Sequence, residues 1–259
     1  MPRTAPHQHW NGFLSAIGLL TILPVPASFF TRDYDVKTQS LATLYYPVVG
    51  AIIGAILFSV VWLSSDVFPI AVQAALVLFL WSLLTGGLHL DGLADSIDAF
   101  SAGHKDKSRI LTIFKDPQSG PMAVTGLILV LLIKFTAIQT LLQGKHFVFV
   151  IVFIPTLARI LASYYMASTA YVRKQGIASG INSEAYKANF LIALSLCFCV
   201  WTIHFSFVHA LVSAFVLSAV YYAWRQVWLT RIGGYTGDCV GGLIEIIEVI
   251  TCLALVTVH

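Results

Sequence analysis

Runs of about 20 apolar residues recur along this chain, and that recurrence restricts the fold more than any other feature. A backbone in hydrocarbon has no water to bond, so only helices and closed barrels cross a bilayer. Leu41–Ser64, about Ile70–Leu88, Gly120–Leu142, His146–Ser168, Asn189–Ile203, Phe207–Leu229 and a last run ending at His259 read as spans. With 58% hydrophobic and 10% charged residues, the composition excludes a soluble globular domain. The expected fold is therefore all-α and polytopic, with about seven transmembrane helices in one integral-membrane domain over residues 1–259. Trp10–Leu23 is shorter than a span and is followed at once by Pro24 and Pro26. It reads as a short N-terminal interfacial or re-entrant helix, and no cleavable signal peptide is evident.

The charges then orient the chain. Of the 15 lysines and arginines, Lys134 and Arg159 fall inside spans and only Lys145 falls on one side, leaving 12 on the other. By the positive-inside rule the polar loops face the cytoplasm, which suits the plasma (inner) membrane of a prokaryote. A net charge of +3 gives no footprint for nucleic acid, so the expected surroundings are the lipid bilayer and small substrates. Cys197, Cys199, Cys239 and Cys252 have neither zinc nor disulfide spacing and read as small packing residues.

Three blocks carry chemistry. The first, TGGLHLDGLADSIDAF over Thr85–Phe100, follows an apolar run without a break. Its Asp91, Asp95 and Asp98 lie four and three apart, which stacks three carboxylates on one helical face. Such a face is unfavourable unless a cation offsets it, and Mg2+ is the simplest hard cation to do so. In this block Gly92 would let backbone or phosphate come close, and His89 reads equally as a substrate contact or a packed imidazole. The second block is IFKDPQSGP over Ile113–Pro121. There Lys115 is a candidate phosphate partner, Asp116 a candidate extra metal ligand and Gly120 a candidate substrate contact. Arg109, a little upstream, is either a substrate contact or ordinary flanking charge. The third, GGYTGDCVGGLIEIIE over Gly233–Glu248, follows Arg231, a candidate substrate contact. Its glycines, Thr236 and Gly237 suit a turn whose amides cradle a phosphate, with Asp238 beside them. Glu245 and Glu248 lie inside the membrane run and need a partner: a metal ion, directly or through water, or a basic side chain such as Arg159.

Carboxylates on a metal face, beside lysines and arginines in neighbouring loops, suit phosphoryl-type transfer. Asp95 and Asp238 are the candidates for accepting the proton of an attacking hydroxyl. A cation-coupled transporter would show an internal repeat, which is absent here. A CDP-alcohol phosphotransferase would show Ala-Arg after its first Asp-Gly, whereas Ala94 is followed by Asp95.

The first block closely resembles the signature of the cobalamin synthase family, the adenosylcobinamide-GDP ribazoletransferases. The third block resembles that family's second conserved segment, and LLTILPVP, YYPVVGAIIGA and IFKDPQSGP fall in the expected order. The family usually has Arg where Ile22 stands and Gly where Ala99 stands. The resemblance implies the last assembly step of cobalamin biosynthesis. In it a corrinoid nucleotide, adenosylcobinamide-GDP, is joined to α-ribazole or its 5'-phosphate with release of GMP. It further implies Mg2+ on Asp91, Asp95 and Asp98, bridging the pyrophosphate, and attack by the ribose 3'-hydroxyl. It leaves open a homo-oligomer or an association with other cobalamin-assembly enzymes.

Overall fold

The computed structural model describes residues 5–26, 29, 36–103, 106–116, 118–144, 146–173, 181 and 183–258. Pro117, Lys145 and His259, and the basic residues Arg3, Arg32, Lys105 and Lys174 counted above, lie outside the described residues. The helices run α1 (Ala5–Leu20), α2 (Val36–Ala42), α3 (Tyr46–Ser64), α4 (Ile70–Leu84), α5 (Leu88–Ser101), α6 (Lys107–Ile113) and α7 (Pro121–Leu141). They continue as α8 (Phe147–Ser168), α9 (Lys187–His204), α10 (Phe207–Ile232) and α11 (Gly237–Val256). Among the described residues, extended pairing is confined to one isolated parallel bridge between Tyr171 and Tyr235. Six helical stretches are long and apolar enough to cross a membrane, or seven if α4 and α5 together form one broken span. The fold is that of an all-α polytopic membrane protein.

The expectation that the span beginning at Ile70 continues straight into the aspartates is corrected. α4 and α5 meet at an elbow of 85°. The cause is local: Gly86 and Gly87 have φ of 61° and 71°, a left-handed conformation that glycine adopts without a Cβ penalty. The aspartate helix is thereby turned across the end of the helix before it. Packed into this elbow is the segment after α1, whose Ile22 N–H donates to the Leu84 carbonyl at 2.8 Å. α1 itself has 16 residues, a length of about 24 Å at 1.5 Å per residue, and lies against α2 and α3.

α11 is the axis of the bundle, packed against α5, α7, α8 and α10. α9 and α10 are the opposite case: only 11% and 22% of their apolar windows are buried, so Ile192, Leu196, Phe215 and their neighbours face outward. An outward apolar surface of that kind is what lipid contact requires.

α3 and α8 form the most extensive helix pair. Gly50 and Gly54, four residues apart, bring the two backbones together. Pro155 lies inside α8 and cannot donate to the Ile151 carbonyl, and that freed oxygen faces Gly54. A Cβ at Gly50 would sit 2.5 Å from the Pro155 carbonyl oxygen. Gly50→Val should therefore cost about 2–3 kcal/mol through backbone separation, read as a lowered melting temperature in detergent. A wild-type melt would show that α3 and α8 do not pack this closely.

Candidate active site

The site forms where the elbow presents α5 to the first turn of α11. The two helices touch through glycine: a Cβ on Gly92 would meet the Asp238 carbonyl oxygen at 2.7 Å, and Gly241 lies against His89 and Gly92. This corrects the assignment of Gly92 to substrate, because α11 backbone already fills the space. The close approach brings Asp238 to the aspartate face.

The three aspartates have separate fates. Asp91 is exposed and Asp95 half-buried, and neither has a hydrogen-bond or ion-pair partner among the described residues. The Asp95 carboxylate is within electrostatic reach of Asp91, Asp238, Asp98 and Arg173. Asp98 instead turns to the N-terminus of α7, where it accepts from Gly120 N at 2.6 Å and Ala123 N at 3.1 Å. α7 begins with Gly120 and Pro121, which offer no side-chain cap, so a carboxylate from α5 satisfies its orphan amides and its positive dipole end. The expected face of three stacked metal ligands is thus reduced to two free carboxylates. Gly120 packs against the Asp98 carboxylate, since a Cβ there would lie 2.8 Å from Asp98 Oδ1.

Asp238 is held on two sides. Arg173 donates to its Oδ2 at 2.5 Å and to the Phe114 carbonyl at 3.1 Å, tying α11 to the end of α6. Thr236, fully buried, donates to the same Oδ2 at 3.1 Å and caps α11 by accepting from Cys239 N. Its role is to position Asp238, which corrects its assignment to substrate. The Tyr171–Tyr235 bridge holds this arrangement: Val172 N donates to Tyr235 O and Tyr235 N to Ala170 O, at 3.0 and 2.9 Å. Burial pushes both phenols above their usual range, so each remains a neutral hydroxyl at physiological pH.

A cavity of about 330 Å³ opens beside Asp238 and Arg173, with His89, Gly237, Tyr171 and Tyr235 among its walls. Gly237 faces open space. His89 is only 2% exposed, and neither ring nitrogen has a hydrogen-bond partner among the described residues.

The remaining candidates are dispersed. Arg231 donates to the Ala99 and Phe100 carbonyls at 3.2 and 3.1 Å and stacks over Phe100, so it caps the C-terminus of α5 and is not free for substrate. Asp116 is exposed and accepts from Gln118 N in a local turn at the end of α6. Lys115 and Arg109 are exposed on the α6 side without a side-chain partner among the described residues. Glu245 and Glu248 are corrected as metal ligands. Lys134 donates to both, at 2.9 and 2.5 Å, and Arg159 donates to Glu248. Acids inside a membrane need a cation, and here two basic side chains supply it.

Among the described residues no three of Asp, Glu, His and Cys gather to hold a metal ion by themselves. The free pair Asp91 and Asp95 nevertheless fits Mg2+, which is commonly bound by one or two carboxylates together with substrate phosphates and water. Arg173, paired with Asp238 in the cavity wall, is the candidate residue that the sequence reading does not single out. It was visible only as one basic residue in a polar loop.

Comparison with known proteins gives one consistent result. Residues 12–256 match the family described as cobalamin-5-phosphate synthase. An adenosylcobinamide-GDP ribazoletransferase of Acinetobacter baumannii is 39% identical over 94% of this chain and 96% of its own length. One from Pseudomonas aeruginosa is 40% identical over 95% of this chain and 97% of its own. No solved structure matches the chain. With the family pattern running through almost its whole length, the chain belongs to the cobalamin-5-phosphate synthase family.

Proposed function

We propose that this protein is an adenosylcobinamide-GDP ribazoletransferase, joining adenosylcobinamide-GDP to α-ribazole or its 5'-phosphate and releasing GMP. The observation that carries the reading is the uncommitted pair Asp91 and Asp95 within electrostatic reach of the Asp238–Arg173 pair, which itself lines a cavity. Asp91 and Asp95 would hold Mg2+ with the substrate pyrophosphate. When bound, that ion neutralises phosphate charge that builds up on the leaving GMP.

Each side chain then has a task in displacement at phosphorus. Arg173, steadied by Asp238 and the Phe114 carbonyl, presents a fixed positive charge toward the phosphates. Asp95 accepts the proton of the ribose 3'-hydroxyl as its oxygen bonds to the cobinamide-side phosphorus and the bond to GMP breaks. Asp238 is the weaker candidate for that proton because Arg173 and Thr236 already occupy Oδ2. The charge asymmetry of the loops supports a cytoplasmic face for this chemistry, in a prokaryotic inner membrane.

The test is direct. Purified protein in liposomes, given adenosylcobinamide-GDP, α-ribazole and Mg2+, should release GMP and form the joined corrinoid. A chelator should stop the reaction and added Mg2+ restore it. Absence of product from folded protein overturns the assignment, and turnover undiminished by chelation overturns the role of Mg2+.

A further inference from the structure

We propose that the cavity beside Asp238 is the subsite for the heteroaromatic base of the ribazole, and that the corrinoid remains outside it. The inference rests on the reaction proposed above and assigns one half of its substrates to a place.

Size makes the first distinction. At about 330 Å³ the cavity is at the lower end of the roughly 300–1,000 Å³ typical of small-molecule sites. A fused two-ring base with part of its ribose fits that volume, whereas a corrin macrocycle with its amide side chains does not.

Chemistry makes the second. Leu20, Met166, Val240 and Ile244 form aliphatic walls, and Tyr171 and Tyr235 add aromatic surface. The two tyrosine rings are 5.3 Å apart at an angle of 65°, a fixed aromatic corner. Guanine, the other base in the reaction, carries several donors and acceptors. The charged groups of the walls, Asp238 and Arg173, are bonded to each other, so guanine's donors and acceptors would reach them only by opening that pair, at a cost in affinity. A benzimidazole attached through one nitrogen has a single polar ring atom left, the other nitrogen, which is an acceptor. The wall residue His89, with both ring nitrogens unpartnered, has the capacity to meet one such atom.

Position makes the third. Asp238 and Arg173 belong to the cavity wall and are also neighbours of Asp95. A nucleoside with its base seated in the cavity would bring its ribose hydroxyl out at the carboxylates, where a phosphorus would be attacked.

Filling the cavity tests this. Leu20→Trp should raise KM for α-ribazole about tenfold or more while KM for adenosylcobinamide-GDP stays within about twofold, since small volume changes in apolar pockets discriminate by roughly 10–200-fold. Leu20→Ala, which enlarges the cavity and does not strain it, should shift preference toward a riboside of a tricyclic base by about tenfold on the same scale. A raised KM for the corrinoid nucleotide with unchanged KM for α-ribazole would overturn the assignment. So would an unaltered base preference in Leu20→Ala. Equilibrium binding of radiolabelled α-ribazole to the wild type and both variants separates this inference from the reaction. Weaker binding to Leu20→Trp upholds the subsite even if turnover is absent, and equal binding overturns the subsite even if turnover proceeds.

Discussion

Asp91→Ala and Asp95→Ala are each expected to lower kcat/KM by about three orders of magnitude, near 4 kcal/mol of transition-state stabilisation. Both side chains lack hydrogen-bond and ion-pair partners among the described residues, so their removal breaks no internal contact that holds the bundle together. Removing either relieves repulsion at Asp95 and leaves folding intact or slightly favoured. The loss should therefore appear in GMP release, with a higher Mg2+ requirement, while membrane insertion and thermal melting stay at wild-type levels. Asp98→Ala supplies the contrast. It removes the same charge from the same helix but takes away the cap on α7, so about 0.5–2 kcal/mol of stability should go with it. Near-normal turnover in Asp91→Ala or Asp95→Ala would eliminate the two-carboxylate metal site.

The contrast among these aspartates also shows where a linear reading stops. Spacing of four and three places Asp91, Asp95 and Asp98 on one side of α5, and that is a property of any helix. Which of them stays free depends on what the helix meets. Asp98 meets the start of α7, a partner 22 residues away whose amide positions no periodicity encodes. The elbow is similar. The apolar run from Ile70 to about Leu88 leads into the signature block without a break, and no periodicity says that the chain turns at Gly86 and Gly87. Apolar runs located the membrane helices well because hydrocarbon imposes one requirement on every span. Arg173 had no comparable signal. Its place at Asp238 follows from the Tyr171–Tyr235 bridge, a tertiary pairing between two loops.

Glu248→Ala should be among the most damaging single changes for stability, costing about 3–5 kcal/mol. Glu248 accepts from both Lys134 and Arg159, and all three side chains are at most 2% exposed. Without it, two cations compete for Glu245 alone inside the membrane region, and the positive charge left over has no water to solvate it. Arg159 would suffer most, because its Nε and Nη2 already have no hydrogen-bond partner among the described residues. Lys134 retains the face of Trp81, 4.2 Å from its Nζ, but a cation–π contact offsets only part of a lost ion pair. Set against a typical total of about 5–15 kcal/mol, the loss would deplete the folded population severely. The double change Lys134→Met with Glu245→Leu removes one charge of each sign and leaves Arg159 with Glu248. It should therefore melt closer to wild type than Glu248→Ala, even though it alters two buried positions instead of one. Thermal unfolding in detergent, followed by tryptophan fluorescence, reads both variants. If Glu248→Ala melts with the wild type, or the double variant melts below the single one, charge balance is not what holds α7, α8 and α11 together.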